Sequence, residues 1–102
     1  MSNFKLVLIM LNGEFVKEDP IDIPENLSKK IAESLMEFEQ MSEKESYIVN
    51  FNHELSENDL KDNWFDKWSL LIGTIKLVIT RRSYGVIIRV SNDSAIFDII
   101  KK

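Results

Sequence analysis

The sequence predicts an α+β fold: one mainly antiparallel sheet of about five strands, with two to three helices packed on it, in the order β-β-α-β-α-β-β-α. Three observations carry this prediction. Branched and aromatic runs alternate at residues 4–11, 47–51, 74–80 and 84–91. An Asn12-Gly13 pair stands between the first two apolar runs. Apolar residues also recur twice at helical spacing, as Leu27, Ile31, Leu35 and Phe38, then as Leu60, Trp64, Trp68 and Leu71. The 102 residues suit a single domain spanning 1–102. With 44% hydrophobic and 29% charged residues, the chain has the makeup of a protein with a packed core rather than of a disordered one.

The elements follow in order. Residues 4–11 and 14–18 read as a hairpin, because both central residues of a type I′ turn need positive φ and Asn-Gly supplies them. Pro20 and Pro24 break the chain, and Pro24 can occupy the first turn of a helix, where a missing N–H costs nothing. That helix carries the Leu27 stripe and should end near Met41 or Ser42. A short strand spans 45–52, with Tyr47, Val49 and Phe51 on one face. Ser56 is an N-cap candidate, with Asp59 three residues on and Leu55 and Leu60 placed as a hydrophobic staple. A second helix follows, with Phe65 and Ile72 beside its stripe and Gly73 as C-cap. Residues 74–80 and 84–91 form a hairpin around Arg81, Arg82 and Ser83. The last segment, AIFDIIKK, reads as a short helix capped by residues 92–94, with a strand as the other reading. The 84–91 strand, apolar on both faces, is the candidate exposed sheet edge for homo-oligomer pairing.

Composition removes several function classes. With no cysteine, a disulfide scaffold, a Cys-ligated metal site and a Cys nucleophile are excluded. The longest early apolar run, Leu6–Leu11, is shorter than a signal or membrane segment requires, so a cytoplasmic location and no membrane partner are expected. The three glycines are scattered, which leaves no phosphate loop, and no serine sits in a nucleophile elbow. No cofactor, metal or catalytic set is therefore expected. His53 is the single histidine. It reads as an exposed loop residue near a helix start, the competing reading being a general base with nearby acids.

Charge is uneven along the chain. Between Glu14 and Asp66 there are fifteen acids and five lysines, whereas from Lys67 onward there are two acids and seven bases. The overall net charge is −4, which disfavours nucleic acid as a direct partner and suits a basic protein surface. The candidate partner-binding residues are Glu33, Glu37, Glu43, Glu45, Glu54, Glu57, Asp59, Asp62 and Asp66. Glu33 with Glu37, and Asp62 with Asp66, are like-charge pairs at helical i,i+4 spacing, which costs roughly 0.2–0.5 kcal/mol each. The plainer reading of these acids is a solvated face. Trp64 and Trp68 read as core, the competing reading being an exposed interaction anchor, and Arg81, Arg82 and Arg89 as either a small anion site or separate surface charges.

The segment FNHELSENDLKDNWFDKWSLLIG, residues 51–73, resembles a stretch in immunity proteins of contact-dependent growth inhibition systems. Asp59, Trp64 and the apolar positions after them match, while Leu60 stands where an aromatic is expected. The resemblance implies a cytoplasmic, non-catalytic protein that binds a toxin domain, often a nuclease, and blocks its active site. It carries over no binding residue. The rival expectations are a phage anti-defence protein that imitates a nucleic-acid backbone, and a small enzyme or ligand-binding domain built on His53.

Overall fold

The computed structural model describes the backbone of residues 6–11, 14–18, 23–54, 69–83 and 85–101, with side chains for 23–54, 69–83 and 85–100. Among the described residues there are six strands and one helix: β1 (Leu6–Leu11), β2 (Glu14–Glu18), α1 (Glu25–Glu39), β3 (Ser46–His53), β4 (Gly73–Arg82), β5 (Gly85–Ser91) and β6 (Ile96–Lys101). They make one sheet in the order β2-β1-β6-β5-β4-β3, with every neighbouring pair antiparallel. The α+β class and the antiparallel sheet agree with the sequence prediction. The strand count is six rather than about five. The predicted second helix falls mainly on 55–68, outside the described residues.

The first helix forms as its apolar spacing predicts. Leu27, Ile31, Leu35 and Phe38 are buried along one stripe, together with Ser34, whose hydroxyl donates to the Lys30 carbonyl at 2.8 Å. That bond satisfies a polar group on a buried face. Pro24 is the N-cap, one position before the first turn, and its carbonyl accepts from the Ser28 N–H at 2.8 Å. The helix ends at Glu39, two residues short of the expected Met41, with Gln40 as C-cap.

The inner sheet face alternates as a half-buried sheet must. Tyr47, Val49 and Phe51 of β3 pack beside Ile75, Leu77 and Ile79 of β4, Ile88 and Val90 of β5, and Phe97 and Ile99 of β6. The last seven of these are 0% exposed. Full burial of an Ile or Phe contributes roughly 1.5–3 kcal/mol each, so this layer is the main source of stability. Leu71 joins the core, whereas Ile72, expected beside it, is exposed.

Three expectations are overturned. The segment after Ala95 is a strand, not a helix. Burial alternates along it, with Phe97 and Ile99 inward, and β5 and β1 offer backbone partners on both its sides. The capping signal at Asn92 is nevertheless real: its Oδ1 accepts from the N–H groups of Ser94 (2.8 Å) and Ala95 (3.0 Å), as an N-cap would. The chain then reverses into a hairpin instead of winding on. Second, the 84–91 strand is not an edge, because β5 lies between β4 and β6. Third, Arg81 and Arg82 belong to β4 rather than to the turn, and Arg82 pairs with Gly85.

Candidate functional site

The two faces of the sheet differ in chemistry. On the helix side, burying the Leu27 stripe turns Glu33, Met36 and Glu37 outward, and Met36 is 64% exposed. Tyr47 reaches from β3 to the end of α1. Its ring stacks on Phe38 with centroids 6.3 Å apart, and its hydroxyl donates to Glu37 Oε2. This bond to the carboxylate raises the Tyr47 pKa above its ordinary value, with smaller contributions from desolvation and the Glu37 charge.

Glu43 and Glu45 are exposed in the connection from α1 to β3. Arg81 holds that connection in place. Its backbone N–H donates to the Glu45 carbonyl at 2.9 Å, and its guanidinium donates to the carbonyls of Phe38 (2.9 Å), Met41 (3.0 Å) and Lys44. The structure therefore gathers Glu37, Glu43 and Glu45 around the C-terminal end of α1, with Glu33 one turn back. Glu54 is also exposed but sits at the other end, where its carbonyl accepts from Asn26 Nδ2 at 2.9 Å. A helix of this length spans about 22 Å, so Glu54 is not part of the same cluster. Glu57, Asp59, Asp62, Asp66, Trp64 and Trp68 lie outside the described residues.

This clustering works against local stability. The C-terminal end of a helix carries partial negative charge, and the last turn of α1 holds Glu37 and Glu39 but no base. Acids there cost roughly 0.3–1 kcal/mol each, which Arg81 offsets from β4.

His53 is not an exposed loop residue. It ends β3 opposite Gly73 and is 2% exposed. It faces the same side as Tyr47, Val49 and Phe51, away from the groove on the opposite face. Nor do the three arginines make one anion site. Arg81 faces the helix, whereas Arg82 and Arg89 are on the opposite face.

That opposite face has a feature the sequence reading missed. Lys76, Val78, Thr80 and Arg82 of β4, with Ile87, Arg89 and Ser91 of β5 and Ile96 of β6, line an open groove of about 410 Å³. Arg89 is paired across the strands with Asp98, through Nε to Oδ1 at 2.8 Å and Nη2 to Oδ2 at 3.1 Å. The Asp98 carboxylate holds the guanidinium pKa above its usual value. The period-two spacing of Lys76, Val78, Thr80 and Arg82 is a signal in the sequence. The expected final helix hid the third strand that completes the groove.

Among the described residues no group of three His, Asp or Glu side chains could hold a metal ion. No described helix is long and apolar enough to cross a membrane. Compared with protein-family models, curated proteins and solved structures, the chain matches none of them.

Proposed function

We propose that this protein is a small non-catalytic inhibitor that docks on a basic protein surface, in the manner of a toxin-immunity protein covering a nuclease-type active site. The observation that carries the reading is the outer side of α1. There an exposed apolar Met36 is flanked by Glu33 and Glu37, and Glu43 and Glu45 stand beyond the helix end. Methionine adapts its shape to a partner, and a rim of like charge steers an oppositely charged protein toward it. Glu37 sits in the last turn, where it opposes the helix dipole, so helix stability alone gives no reason for its placement. Tyr47 also fixes the Glu37 carboxylate before any partner arrives, which lowers the ordering cost of binding. The resemblance of residues 51–73 points to the same class of partner.

The test is affinity capture from lysate at low and high salt, comparing the native chain with the variant Glu33→Gln/Glu37→Gln/Glu43→Gln/Glu45→Gln. A single basic protein retained by the native chain, released by salt and associating at least about tenfold more slowly with the variant, supports the reading. Equal association rates for the two chains would reject docking through this face.

A further inference from the structure

We propose that the groove on the sheet face opposite α1 is a second docking surface, for an acidic polypeptide segment in extended conformation. The proposal does not rest on the inhibitor reading, since it uses the opposite side of the molecule.

The alternation of the strands sets the layout. Pairing places Lys76 beside Ser91, Val78 beside Arg89 and Thr80 beside Ile87 on β4 and β5, with Asp98 and Ile96 next to Arg89 and Ser91 on β6. Lys76 lies toward one end and Arg82 toward the other, six residues apart on one strand, or about 20 Å. Both are exposed, and among the described residues no carboxylate pairs with either. Among the described residues Arg82 donates to its neighbour's carbonyl, from Nη1 to Arg81 O at 3.1 Å. Between these cations the surface is aliphatic: Val78 and Ile87 are half-buried, Ile96 is 37% exposed, and Ile48 beside Val78 on β3 is 53% exposed.

The spacing selects the occupant. One carboxylate or phosphate cannot reach both Lys76 and Arg82 across about 20 Å. An extended chain repeats its side chains on one face about every 6.6 Å, so three repeats cover that distance. Acids at the first and seventh positions of such a segment would meet Lys76 and Arg82, while the third would lie over Val78, beside the paired Arg89 and Asp98. An aliphatic residue at the fifth would lie over Thr80 and Ile87. A nucleic-acid strand fits less well. Among the described residues the groove lining holds no aromatic for base stacking, and Asp98 sits beside Arg89 where a phosphate would pass.

The test is a backbone amide NMR titration of the full chain. The probe is an acetylated seven-residue peptide with glutamate at positions one and seven, valine at three and five and alanine elsewhere. Parallel titrations use the same peptide with glutamine for glutamate, inorganic phosphate and a thymidine oligonucleotide. The expected result is saturable shifts centred on β4 and β5, weakened at least about tenfold by glutamine in the peptide or by Lys76→Glu/Arg82→Glu in the protein. The variant's own spectrum reports whether its fold is retained, and Arg82→Gln alone serves if it is not. Unchanged binding by the folded variant, shifts centred elsewhere, tighter binding of the oligonucleotide, or no shift at millimolar peptide would each overturn the proposal.

Discussion

The guanidinium of Arg81 lies over the ring of Phe38, with Cζ 3.9 Å from the ring centroid, and the same group donates to the Phe38 carbonyl. A strand residue thus terminates a helix 43 positions earlier in the chain. No glycine closes α1. Instead the Arg81 fork adds donors to the carbonyls of Phe38, Met41 and Lys44 around the helix end, and its charge opposes the negative end of the dipole.

Replacing Arg81 should therefore be costly even though it is not fully buried. Arg81→Met should destabilise the fold by about 2–4 kcal/mol, from lost charged hydrogen bonds and lost stacking on Phe38. Arg81→Lys should recover less than half, because an ammonium cannot serve three carbonyls in a planar fork. Urea denaturation of both variants measures this. A loss below about 0.5 kcal/mol for Arg81→Met would show that the contacts are incidental.

Asn92 should be the most sensitive polar residue of the β5–β6 connection. Its Nδ2 donates to the carbonyls of Leu70 (2.7 Å) and Ile72 (3.3 Å), while its Oδ1 accepts from Ser94 and Ala95. Asn92→Ala should cost about 1–3 kcal/mol. Asn92→Asp keeps the acceptors but sets a carboxylate against two carbonyls. It should therefore leave the turn intact while raising hydrogen exchange in residues 69–72.

The final strand can be distinguished from a helix by substitution alone. Ile99 is 0% exposed and Ile100 half-buried on the other face. Ile99→Ala should cost about 2–5 kcal/mol, and Ile96→Ala and Ile100→Ala about 1 kcal/mol or less. In a helix Ile96, Ile99 and Ile100 would share one stripe, so all three would be similarly costly. Denaturation midpoints of the three variants decide between the two.

Tyr47 should titrate above the ordinary tyrosine value near 10. A pKa raised on folding contributes stability that is fully present below the unfolded value and is lost as the pH climbs through the folded one. The Tyr47–Glu37 contact should therefore stabilise the protein at neutral pH and cease to do so in strong alkali. Tyrosinate absorbance read against Tyr47→Phe isolates this residue. Glu37→Gln should bring its pKa back toward 10, and an unchanged value would reject the carboxylate as the cause.

The sequence by itself determined what local periodicity can determine. The Leu27–Phe38 stripe, the inward set Tyr47, Val49 and Phe51, and the runs that became β4 and β5 all follow from side-chain spacing. So does the pairing of residues 6–11 with 14–18. It also located most of the acid, because composition is legible without a fold. Tertiary structure decided what spacing left degenerate. Ile96, Phe97, Ile99 and Ile100 satisfy a helical period as well as alternation, and the choice fell to the strand because β5 and β1 supply hydrogen-bond partners on both sides. That one choice inserts the C-terminal strand beside the N-terminal one, makes β5 interior and completes the groove on the far face. It also explains why Arg81 and Arg82, adjacent in sequence, serve opposite faces of the molecule. Successive residues of a strand point to opposite sides, so a cationic pair in the sequence became a helix clamp on one face and a groove-lining charge on the other.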